Sequence, residues 1–134
     1  MKSAIFATIG LLAMAIPAAL AIPAALQVAA GRVCETSGGS PTVNDALLAD
    51  ERGWNTGIQQ GVTLICQTNS GGGCVHLGSY GTGSVQYCSP QASCHTIDQI
   101  DSGLHDVIHN CQVDGRVGGK WEFENGAHAD VFHS

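Results

Sequence analysis

TIDQIDSGLHDVIHNC, residues 96–111, is the stretch on which the fold turns. Ile97, Ile100, Leu104, Val107, Ile108 and Cys111 recur at spacings of 3, 4, 3, 1 and 3, which places them on one stripe of an α-helix. Thr96 followed by Gln99 makes a capping box that marks the helix start, and Gly115 ends it a few residues past the stripe. The opposite side carries Asp98, Asp101, Ser102, His105, Asp106, His109 and Asn110. A helix with one apolar stripe needs a second layer to cover it.

The C-terminal GKWEFENGAHADVF supplies part of that layer as a β-hairpin. A three-residue loop, Glu124-Asn125-Gly126, sets Trp121 against Ala129 and Phe123 against Ala127 on an apolar face. Lys120 then opposes Asp130, and Glu122 opposes His128, on the other. A two-residue Asn-Gly loop would instead oppose Trp121 to Asp130. Charge complementarity therefore selects the three-residue loop.

Upstream, VTLICQT (62–68) and CVHLGSY (74–80) are short runs of β-formers joined by NSGGG, and read as a second hairpin. If its loop is symmetric, Cys66 faces Cys74. SVQYC (84–88) reads as a further short strand, SPQAS as irregular chain before Cys94, and an extra strand is expected near Cys34. Val43, Leu47, Trp54 and Ile58 predict a helix over 42–52, fraying toward 59 because Gly53 and Gly57 weaken its second half. The fold class is α+β: an antiparallel sheet of four to five strands covered on one face by two helices.

The first 21 residues read as a secretory signal, with Lys2, an Ala-rich apolar run broken by Pro17, and Ala19-Leu20-Ala21 at its end. Residues 22–33 read as a leader or flexible arm, and 34–134 as one domain. All six cysteines (Cys34, Cys66, Cys74, Cys88, Cys94 and Cys111) follow the signal, so three disulfides are expected, with no pairing selected by the spacing. The formal charge of −6 becomes −7 once Lys2 is lost. Four cations against 11 carboxylates disfavour nucleic acid and anionic membrane as partners, and no stable membrane insertion is expected.

HDVIH (105–109) puts two histidines one helical turn apart, a spacing at which neutral imidazoles can share Zn²⁺. A zinc-dependent hydrolase using the His105/His109 pair would need a third ligand from His76, His95 or His128. It would also need a general base, for which Asp106 is about one carbon short of the usual Glu. The plainer reading makes Asp101 and His105 an i, i+4 acid–base pair on a wet helix face, with no cofactor. Glu122 and Glu124 project from one strand face beside a turn, as solvent-facing carboxylates. Glu122, Arg116 and His128 supply the residue types of a guanyl-specific ribonuclease in an unsuitable chain order. Trp54, Trp121, Phe123, Ile100 and Leu104 are expected in the core.

The order of motifs resembles the smut-fungus killer toxins and related secreted effectors of plant-pathogenic fungi. WNTGIQQGVTLIC (54–66) matches an aromatic-Asn-x-Gly turn leading into a strand that ends in Cys. GGGCVHLGSYGTG (71–83) matches a Gly-x-Cys strand, and IDQIDSGLHDVIHNC (97–111) a helix ending in Cys near Gly115. The resemblance implies two helices packed across an antiparallel sheet and a disulfide-locked, non-catalytic extracellular protein. Such a protein binds a host or competitor protein, a channel or a cell-wall component. Channel block through basic residues is not carried over, because none of Arg32, Arg52, Arg116 and Lys120 matches by motif. Surface loops around 67–73 and 80–93 are the expected contact regions.

Overall fold

The capping box is present as a pair of reciprocal bonds: Gln99 N–H donates to Thr96 Oγ1 (3.1 Å), and Thr96 N–H donates to Gln99 Oε1 (3.0 Å). It opens a helix, Ile97–Asn110, in a computed structural model that describes residues 31–134. The expected signal over 1–21 and all but the last three residues of the expected leader over 22–33 lie outside the described residues.

In chain order the elements are β1 (Gly31–Cys34), α1 (Val43–Gln59), β2 (Leu64–Gln67), β3 (Gly73–Tyr80), β4 (Gly83–Ser89), β5 (Ser93–Thr96), α2 (Ile97–Asn110), β6 (Gly119–Glu122) and β7 (His128–His133). One antiparallel sheet runs β1-β6-β7-β4-β3, and β2 pairs with β5 in a second sheet of two strands. The α+β class with a five-stranded antiparallel sheet and two helices is as the sequence implies. Among the described residues, no helix is long and apolar enough to cross a membrane.

The β6–β7 hairpin takes the register that charge complementarity selects. Trp121 pairs with Ala129, Lys120 with Asp130 and Glu122 with His128. Gly126 closes the loop at φ +85°, a conformation that a side chain disfavours.

The other hairpin differs from expectation. β2 does not pair with β3; it crosses to β5, a strand not expected from the sequence between the irregular SPQAS and the helix cap, with Cys66 opposite Cys94. β3 pairs with β4 instead, through a turn at 81–82 in which Gly81 has φ +54°. A two-residue connection orders less chain than NSGGG does, so the β3–β4 hairpin is the cheaper closure. The disulfides follow this pairing: Cys74–Cys88 lies across β3 and β4, Cys66–Cys94 across β2 and β5, and Cys34–Cys111 ties β1 to the end of α2. A Cys66–Cys74 bridge does not occur.

α1 is longer than its predicted 42–52 and is turned about its axis. Thr42 caps it by accepting from Asp45 N–H (3.2 Å), and the helix runs unbroken through Gly53 and Gly57. Its buried face is Ala46, Ala49, Asp50 and Gly57, while Val43 and Leu47 are partly buried and Ile58 is 52% exposed. The reason is close approach to the sheet. A β-carbon on Gly78 of β3 would lie 2.3 Å from the Ala49 carbonyl oxygen, and one on Gly83 of β4 would lie 2.9 Å from the Asp45 carbonyl. Only small side chains fit between backbones that near, so the large apolar residues flank the contact.

The core is built where α2 crosses the sheet. Ile100, Leu104, Val107 and Ile108 pack with Val85, Tyr87, Ala129, Val131, Phe123 and Val117. Phe123, Ile100 and Leu104 are buried as expected, and Trp121 is partly buried against the cluster. Trp54 is not in that cluster; it is half-buried on the wall of a small cavity between the helices and β3. The strand β1 begins at Gly31, three residues before the expected domain boundary.

Candidate functional site

The turn of α1 that buries Ala46 also buries Asp50, four residues on, and aims its carboxylate at α2. Asp50 is 3% exposed. Facing it, Asp101 and His105 stand one turn apart on α2. His105 Nε2 is 2.9 Å from Asp50 Oδ2 and 3.7 Å from Asp101 Oδ1. One donor atom from each of the three lies within 4.8 Å of the others. The short contact is not a well-formed hydrogen bond, and Asp50 Oδ2 is buried without a hydrogen-bond partner.

Burial pushes the Asp50 carboxyl up to about 8, and the charge of Asp101 with its hydrogen-bonding group adds to the effect. Taking a carboxylate out of water disfavours its charged form, and a second carboxylate beside it does so again. Next to the cluster is a cavity of about 20 Å³, walled by Trp54, Ile65, Leu77, Ile100 and Leu104. That space matches a single water, for which about 10–15 Å³ is the minimum. The arrangement can therefore hold a proton or one small cation between the helices.

The sequence points at His105 with His109, and the structure divides that pair. The two rings meet edge to face with centroids 5.8 Å apart, and His109 is exposed outside the cluster. Asp106 turns away to form an ion pair with Arg32 of β1 (3.0 Å). The i, i+4 contact of Asp101 with His105 is present, but the pair faces a buried carboxylate from the other helix and does not stand on a wholly wet face. Sequence reasoning misses Asp50. Its signal is its place four residues after Ala46 on a face of small residues, which is visible only if small residues are read as the packed face.

His76, His95 and His128 do not join His105. His95 donates to or accepts from Tyr87 Oη through Nδ1 (2.8 Å) and stacks on Phe123 at 4.0 Å, with burial lowering its pKa and Glu124 opposing that shift. His128 Nδ1 contacts Asp130, whose other oxygen accepts from Gln86 Nε2 (3.0 Å). Cys88 lies beside them, but its sulfur is committed to Cys74.

Of the ribonuclease-type residues, Glu122 and His128 are cross-strand neighbours on the helix-free side of the sheet. Arg116 is elsewhere, donating to the Ser40 carbonyl (2.6 Å). Glu122 lies 3.9 Å from Lys120, whereas Glu124 is in the turn, so the two carboxylates do not share a strand face.

The expected contact loops are also rearranged. Half of 80–93 is β4, which is buried almost throughout, leaving short turns at 81–82 and 90–92. The turn at 90–92 meets the 68–72 loop at one end of the molecule. The buried amide of Gln67 joins them, Nε2 donating to the carbonyls of Asn69 (2.9 Å), Ser89 (3.3 Å) and Gln91 (3.1 Å). The β6–β7 turn brings a third loop to the same end, where a β-carbon on Gly126 would lie 3.5 Å from the Pro90 ring.

Compared with known proteins, the chain matches no family model, no curated protein and no solved structure.

Proposed function

We propose that the protein is a small secreted effector, killer-toxin-like in kind, which acts by binding a protein or wall component of a host or competitor and not by catalysis. Three disulfides in so small a domain fit an oxidising, extracellular setting. The observation that carries the binding reading is the Gln67 clamp. One buried amide, bonded to a carbonyl in each loop (Asn69 and Gln91) and to that of Ser89 at the end of β4, and the adjacent Cys74–Cys88 bridge hold the 68–72 and 90–92 loops in place before any partner arrives. Loops ordered in advance lose less entropy on binding, which favours recognition by shape.

The test is saturable binding of labelled, oxidised protein to plant and fungal cells, with a triple variant Ser70→Arg, Gln91→Arg, Glu124→Arg as comparison. These three side chains are exposed at the loop end, so the fold should survive. Binding that weakens at least about tenfold in the variant, with unchanged circular dichroism, supports the reading. Equal binding by the variant, or multiple turnover of any substrate by the native protein, overturns it.

A further inference from the structure

We propose that Asp50, Asp101 and His105 form a site for one divalent transition-metal ion, Zn²⁺ foremost, which clips α1 to α2. The inference is independent of the binding reading above, since the cluster joins the two helices and shares no residue with the Gln67 clamp or its loops.

Two observations carry it separately. The first is the donor geometry. Two carboxylate oxygens and an imidazole nitrogen converge within 4.8 Å, with separations of 2.9 and 3.7 Å from the nitrogen. Ligand atoms about 2.0–2.1 Å from a tetrahedral ion stand ~3.3 Å from each other, between those two values. The second is Asp50 itself. The residue is only 3% exposed, and its inward oxygen has no hydrogen-bond partner. His105 is in contact with that oxygen but makes no well-formed hydrogen bond to it, so a cation drawn between Asp50, Asp101 and His105 would neutralise both carboxylates and give the buried oxygen a partner.

The donor set selects the class of ion. Mixed imidazole and carboxylate ligands suit Zn²⁺ and its first-row neighbours, whereas Mg²⁺ and Ca²⁺ prefer oxygen alone. The one remaining tetrahedral position would be filled by water from the side on which His105 is half-exposed. The adjoining cavity of about 20 Å³ has no room for a substrate, so the role is a clip between helices. The other convergent group, Cys88 with His128 and Asp130, lacks a thiolate because of the Cys74–Cys88 bridge, and serves as an internal control.

The experiment is calorimetric titration of the purified, oxidised chain with ZnCl₂, and with MgCl₂ alongside, followed by thermal melts with and without one equivalent of Zn²⁺. One equivalent should bind and raise Tm, with no comparable effect of Mg²⁺. His105→Ala and Asp101→Asn, both on the accessible side of the cluster, should weaken binding at least about 100-fold and abolish the shift. His109→Ala and His128→Ala should bind as the unaltered chain does. Absence of stoichiometric binding overturns the proposal. So does binding that survives His105→Ala, or that is lost in His109→Ala or His128→Ala.

Discussion

A β-carbon on Gly103 of α2 would lie 2.6 Å from Cγ of Trp121: the helix backbone rests directly on the indole. This contact sets how closely α2 can approach β6, and through it where Asp101 and His105 stand.

Gly103→Ala should therefore destabilise the protein, although alanine is the better helix former by about 1 kcal/mol. Overlap with the rigid root of a Trp side chain costs about 1–3 kcal/mol, which outweighs that gain. We expect a thermal midpoint lower by several degrees, at about 4–8 °C per kcal/mol for a domain near this size. An unchanged or higher midpoint would show that the indole moves aside freely.

The three disulfides should differ in worth. Cys34–Cys111 spans 77 residues and Cys74–Cys88 spans 14. On chain-entropy grounds, replacing the first pair by Ser should cost about 4.5 kcal/mol and replacing the second about 3 kcal/mol. Urea unfolding of the two double variants checks the order; a more damaging loss of Cys74–Cys88 would contradict it.

Gln67→Ala should loosen one end of the molecule selectively. Three carbonyls lose their donor, at a cost of about 1–3 kcal/mol. Amide hydrogen exchange should quicken over 68–72 and 90–92 while α2 keeps its protection relative to global stability. Uniform acceleration across the chain would mean that the amide acts on the whole fold and not on the loops.

Metal-free stability should fall as pH rises through neutrality. Asp50 titrates at about 8 in the folded chain against an ordinary value of 3.8, so between those values the folded state keeps a proton that the unfolded state has released. The stabilisation is complete below the lower value and is lost as pH approaches the higher one, with a slope of at most about 1.4 kcal/mol per pH unit. Asp50→Asn removes this group, and should flatten the profile and be the more stable protein at pH 8. Unfolding by urea in EDTA from pH 5 to 8.5 measures it; parallel profiles for the two proteins would count against a buried Asp50 proton.

The limits of α2 and the register of the last hairpin are legible because their signals are local. A capping box, a stripe repeating every three or four residues, and one glycine at a turn each act within a few positions, and they agree. The face of α1 is misread when Val43, Leu47, Trp54 and Ile58 are weighted by size. The contact with Gly78 and Gly83 selects for smallness instead, and so buries Ala46, Ala49 and Asp50.

The pattern of residues along the chain is enough to establish two helices on an antiparallel sheet, oxidised cysteines and an acidic, unclustered charge. Which strand meets which, which cysteines join, and the convergence of Asp50 on Asp101 and His105 come from the folded chain alone. Periodicity acts between neighbours, whereas a pairing across 28 or 77 residues is chosen by comparing whole arrangements of backbone, and a buried carboxylate shows itself only when the helix opposite is in place.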